Sequence, residues 1–252
     1  MNETSSTPPQ LPPQSFGSPP IGSTPEEREP IHSPIGAAEA ILRQPRRVLF
    51  QLRQPPMVRL IGSFILLLIV AALVYGFVVG TFSMGDQLWI APLKITGGML
   101  VAALICLPSL YIFSCLAGSQ ARLVEVFGLV AGLLTLTTIL LIGFAPVAWV
   151  FSQSTTSVAA MGALHLVFWF IATCFGWKFL RSGFKHLSAQ TGGALNVWLV
   201  IFILVCLQMT TALRPIVGTA PTVFPQEKKF FISHWMDSLS QTNEHPQINS
   251  RN

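Results

Sequence analysis

Charge is what this sequence has least of. Asp, Glu, Lys and Arg make up 10% of its 252 residues and hydrophobic residues 51%, whereas a soluble domain carries ~25% charged residues. Water cannot be this chain's only solvent. Cysteine is scarce as well. Cys106, Cys115, Cys174 and Cys206 all fall inside apolar stretches, which argues against a disulfide framework or a Cys-x-x-Cys zinc site and leaves four small buried hydrophobes. Histidine numbers five, and no Ser/His/Asp, Cys/His, paired-Asp or His-x-x-x-His arrangement occurs, so no catalytic activity, cofactor or metal is expected. Residues 1–35 lack the charged start, short apolar core and small-residue cleavage site of a secretory leader, so the first apolar stretch reads as a retained anchor. The net charge of +5 is not arranged as a basic face with interleaved aromatics, which argues against a nucleic-acid partner. The basic residues crowd the ends of apolar stretches instead, where anionic head groups lie.

What the sequence does contain is five uncharged apolar runs between Leu60 and Leu213, at 60–82, 95–119, 126–152, 158–177 and 194–213. Each has 20 to 27 residues, against roughly 20 needed to cross ~30 Å of hydrocarbon at about 1.5 Å per residue. The expected fold is all-α, a polytopic transmembrane bundle over 58–214 with the lipid bilayer as its first partner. Five crossings place the termini on opposite sides. Nine Lys and Arg flank the spans on the amino-terminal side and four on the other, so the N-terminus is expected in the cytoplasm and the C-terminus outside.

Outside the spans, residues 1–35 are rich in Pro and Ser and nearly free of aromatics, the composition of a disordered tail. Residues 36–57 mix Ala, Ile, Leu, Val and Phe with Arg43, Arg46 and Arg47 and read as an interfacial amphipathic segment, broken into two short helices by Pro45. Residues 215–252 form an outer tail. In it Phe231, Trp235 and Leu239 recur every four residues, marking an amphipathic helix at about 226–240.

Polar groups in hydrocarbon are the usual pointers to function, and here they are few. His165 in the fourth span, Glu125 beside Arg122 at the start of the third, and Gln208 in the fifth are the candidate intramembrane polar residues. A neutral His165 hydrogen-bonded between helices is the expected state. Asn196 and Gln208 can bridge helices, and Lys94 can snorkel to the interface. Small residues four apart, Gly128 with Gly132 and Ala159 with Ala163, predict that the third and fourth spans touch, or that two copies pair as a homodimer. Pro108-x-x-Tyr111-Ile112-Phe113-Ser114 and Pro146-x-x-Trp149-Val150-Phe151-Ser152 share a short pattern in spans of opposite direction. Proline-broken inverted repeats frame midplane sites in transporters.

The proline-rich tail, the segment Ile41-Leu42-Arg43-Gln44-Pro45-Arg46-Arg47-Val48-Leu49-Phe50 and the five closely spaced spans resemble the Yip1-type membrane proteins and their bacterial relatives. The resemblance covers residues 36 to about 215. In eukaryotes it implies a Golgi or ER protein acting with small GTPases in vesicle trafficking; bacterial members are largely without assigned activity. The Asp-Leu-Tyr-Gly-Pro type motif of the eukaryotic proteins is absent, so no site residue carries over. The functional expectation is a membrane scaffold or accessory protein working through helix packing and a membrane-protein partner. A small-solute transporter or channel component is the alternative. Tight loops fit a bacterial inner membrane better than the Golgi or ER.

Overall fold

A computed structural model describes residues 20–82, 85, 87–155, 157–187 and 193–212, and every regular element among them is a helix. The first three helices are short and their ends are set by proline. Helix α1 (Pro25–Arg28) is a single turn. In α2 (Pro34–Arg43), the Ser33 hydroxyl caps the start by accepting from the Gly36 N–H at 3.0 Å, with Pro34 at the first helical position. Pro45 ends α2, because its ring disfavours helical geometry at Gln44, and opens α3 (Pro45–Gln51). The break expected at Pro45 is there.

The apolar side of these helices, expected to meet lipid, is covered by the bundle. Ala37, Ala40, Ile41, Val48, Leu49 and Leu52 are all buried. Helix α2 packs under two of the long helices, and α3 against α2 and a third. Together α1 to α3 form a cap on one end of the bundle. Residues 20–35, expected to belong to an unstructured tail, are held against the rest of the cap. Glu27 of α1 accepts from the Arg46 Nε at 2.6 Å, and the Ile31 N–H donates to Gln51 Oε1 at 2.9 Å. Glu29 meets Arg47 at 3.3 Å. Residues 1–19, and the helix expected at 226–240, lie outside the described residues.

Four helices are long and apolar enough to cross a membrane: α4 (Met57–Gly80), α5 (Gln87–Leu116), α6 (Leu123–Ser154) and α7 (Val158–His186). The chain is an all-helical, multi-pass membrane protein. The fifth apolar stretch forms α8 (Gly193–Ala212), whose apolar run Leu195–Met209 is shorter. Helix α7 continues to His186, well past the expected end at Trp177. Its added turns carry Lys178, Arg181 and Lys185, cations that suit a helix C-terminus. Helix α5 ends in a Schellman motif: Gly118 adopts φ +77°, the Ser119 N–H reaches Ser114 O at 3.0 Å and the Gly118 N–H reaches Cys115 O at 3.0 Å.

Helix α6 is the hub. Its apolar window is 72% buried, against 28–33% for the other three long helices, because α4 and α7 flank it and α2 closes its cap end. Helix α5 packs chiefly on α4, and α8 on α5. The Thr135 hydroxyl of α6 lies 2.9 Å from Phe64 O of α4 and 2.7 Å from Ala131 O of its own helix. At the far end of the bundle, Gly76 of α4 lets Pro92 of α5 sit against the backbone. A Cβ there would lie 3.1 Å from the proline nitrogen and closer still to its Cα.

Candidate functional site

Two polar side chains from helices 90 positions apart in sequence meet inside the membrane-spanning region. The Tyr75 hydroxyl of α4 lies 2.7 Å from His165 Nδ1 of α7, with the rings edge to face at 5.7 Å. Tyr75 is 2% exposed. Its hydroxyl has no other partner among the described residues, so donation to Nδ1 is the arrangement that satisfies the phenol O–H. That places the proton of a neutral imidazole on Nε2, which is buried and without a hydrogen-bond partner. Apolar walls surround the pair: Val79 from α4, Leu141 and Ala145 from α6, and Phe168 and Ala172 from α7. Phe144 stacks on Phe168 at 4.7 Å.

Lys94 is the other unusual group. It stands seven residues inside α5, roughly 10 Å from the helix start at ~1.5 Å per residue. It does not snorkel as expected: it is 7% exposed and its Nζ has no hydrogen-bond partner among the described residues. Thr96 Oγ1 and Thr173 Oγ1 are in the same condition.

The three polar candidates read from sequence are not brought together. Glu125 lies at the cap end of α6, roughly 30 Å along the bundle from His165 when helical rise is counted. Its carboxylate accepts from the Arg122 backbone N–H at 2.9 Å, so it caps α6 and its partner is that backbone, not the Arg122 guanidinium. Gln208 is half-buried on α8, which packs chiefly on α5. Tyr75 escaped the sequence reading because nothing local distinguishes a tyrosine near a helix end from an interfacial aromatic. Among the described residues no three His, Cys, Asp or Glu side chains gather in a set that could hold a metal ion.

The packing candidates are redistributed. Helices α6 and α7 do pack together, and Gly132 serves that contact: a Cβ there would lie 2.7 Å from the Phe179 ring. Gly128 instead faces Leu52 and Ile61, the cap and α4. Ala163 is exposed, and the side chain of Ala159 is outside the described residues. The close approach on α7 comes from Gly176, where a Cβ would lie 2.8 Å from Thr137 Oγ1, and from Gly183, set against Leu129 and Leu49. These glycines are seven apart, two helical turns. The echoing prolines lie in different surroundings. Cys106 O, just before Pro108, accepts from the Trp198 Nε1–H of α8 at 3.1 Å, whereas no hydrogen bond from another helix reaches the turn around Pro146 among the described residues.

Comparison of the chain with family models, with curated proteins and with solved structures gives no match.

Proposed function

We propose that the chain is an integral membrane scaffold or accessory protein, acting through helix packing and partner contacts and performing no chemistry itself. The use of its interior polar groups carries this reading. Thr135 bonds Phe64 O, Trp198 bonds Cys106 O, and Thr137 and Thr138 bond the carbonyls of Leu133 and Leu134. The first two bonds tie one helix to the next, and the last two satisfy hydroxyls on the backbone of α6 itself, so these groups are engaged in structure. The exposed side of α5 offers Leu93, Leu104, Ile105 and Ile112, an apolar strip for lipid or a partner helix.

In this reading α8 is a fifth crossing. Its 20 residues give about 30 Å at ~1.5 Å per residue. The cap then faces the cytoplasm, the C-terminus lies outside, and the excess of Arg and Lys on the cap side supports that orientation. A bacterial inner membrane is the proposed location, and the layout is that of a Yip1-type protein. The test is purification of the full chain in mild detergent followed by identification of co-purifying proteins, with the purified chain also reconstituted alone in vesicles. A stoichiometric membrane partner and passive vesicles are expected; solute movement or turnover by the chain alone would overturn the reading.

A second reading, a small-solute transporter or channel component, draws on the Tyr75–His165 pair, the buried Lys94 and the prolines inside α5 and α6. Substrate-dependent flux that disappears in His165→Leu would favour it over the scaffold.

A further inference from the structure

The cap contains a groove of about 570 Å³ where α1, the α1–α2 link, α3 and the first turn of α4 meet. Arg28, His32 and Arg59 line it together with Gln54, and no carboxylate does. The charge pairing of the cap explains why the two arginines are available. Glu39, Glu27 and Glu29 are matched to Arg43, Arg46 and Arg47, so the three acids that pair are taken up by three arginines outside the groove. Among the described residues Arg59 has no acidic partner, and Arg28 spends only its Nε, on Gly22 O at 2.7 Å. Two exposed arginines, with a histidine beside them, therefore line one volume without an acidic partner among the described residues. Guanidinium groups match phosphate oxygens in geometry as well as charge.

The depth of the groove narrows the ligand further. Leu60 forms part of its wall and begins the apolar run of α4, one residue after Arg59. The cavity thus straddles the boundary between hydrocarbon and water, the layer in which lipid phosphates lie. Its volume is within the range of small-ligand sites, about 300–1,000 Å³. We infer that this groove binds the phosphate group of an anionic ligand at the membrane surface, with a phospholipid head group as the source favoured by its position. The site is independent of the scaffold reading, since either function is compatible with a bound anionic lipid.

The experiment uses the full chain in a neutral maltoside detergent, with binding followed by native mass spectrometry and by thermal melting. Dioctanoyl phosphatidic acid, dioctanoyl phosphatidylcholine and glycerol 3-phosphate are titrated separately. Saturable binding of phosphatidic acid is expected, at least about tenfold tighter than phosphatidylcholine. The double variant Arg28→Gln/Arg59→Gln weakens it by about tenfold or more, whereas Arg43→Gln, outside the groove, stays within about twofold. Arg59→Lys, which keeps the charge but not the guanidinium fork, recovers only part of the loss seen in Arg59→Gln, and an unchanged ligand-free melting temperature shows that the variants fold. Glycerol 3-phosphate binding as tightly as the lipid assigns the site to a soluble phosphate compound; weaker binding by about tenfold or more assigns it to the head group. Absence of saturable binding by any probe, or equal binding by the double variant and the native chain, overturns the inference.

Discussion

Tyr75 and His165 form a hydrogen bond of 2.7 Å between α4 and α7, joining two helices that otherwise meet through α6. The bond sits near the end of the bundle away from the cap, where α4 is five residues from its end at Gly80 and α7 seven residues from its start at Val158. Removing either partner leaves the other buried and unpaired.

Tyr75→Phe and His165→Leu are each expected to destabilise the folded bundle by about 1 kcal/mol, within the ~0.6–1.7 range of interhelical hydrogen bonds in membranes. The double variant should lose less than the two singles added together, because the second change no longer breaks a bond. Unfolding in mixed micelles measures all three, and strictly additive losses would show that the pair is not coupled.

Gly183→Val places two methyl groups against Leu129 and Leu49, and Gly132→Val drives into the Phe179 ring. Each should cost about 1–3 kcal/mol through overpacking. Ala163→Leu, on the exposed side of α7, should change stability by no more than about 0.5 kcal/mol. Thermal melting of the three variants in one detergent gives the comparison, and a large loss in Ala163→Leu would mean that this face is covered.

Burial of Glu27 works against its ionisation, but the hydrogen bond from Arg46, the Gly22 N–H and the attraction of the Arg46 charge outweigh it, so the carboxyl titrates below its ordinary 4.5. A carboxyl whose folded value is depressed contributes stability that is present above its unfolded value and is lost as pH falls through the folded one. The hold of α1 on α3 should therefore be intact at neutral pH and weaken only below about pH 4.5, the unfolded carboxyl's value. Hydrogen exchange of residues 22–31 against pH reads this directly, and Glu27→Gln should flatten the profile.

Replacing Pro45 by Ala removes the constraint that ends α2 at Gln44 and allows a continuous helix from Pro34 to Gln51. Straightening would swing Arg46 and Arg47 away from Glu27 and Glu29. Faster proteolysis of the α1–α2 link is the expected outcome, with a lower melting temperature as Val48, Leu49 and Leu52 shift from their places against the bundle.

Much of this architecture could be read in the residues. Long uncharged runs mark α4 to α7 because hydrocarbon imposes one length and one composition on any crossing, and Pro45 marks the break between α2 and α3 because it cannot continue a helix. What covers the apolar side of the cap is not legible for a physical reason: a segment such as Ile41 to Leu52 shows the same mixture of apolar and basic residues whether that side meets acyl chains or the end of a bundle. The first 35 residues look uniformly unable to fold, yet Glu27 and Glu29 gain order by pairing with arginines about 20 positions away, which composition does not register. Side-chain partners across helices were the least legible. Tyr75 and His165 meet only because α6 sets the distance between their helices. The glycines of α7 were overlooked because they recur at seven positions, whereas the familiar small-residue pattern recurs at four.

The hub position of α6 bears on how the protein is made. A nascent chain that has released only its first two membrane helices has nothing to cover the face of α4 that will receive Thr135, and α2 has only the α4 half of its seat. Until the third helix leaves the ribosome, those surfaces have to be shielded by lipid or by the insertion machinery. A chain truncated between Gly118 and Leu123 should expose such an intermediate to the cell's membrane proteases.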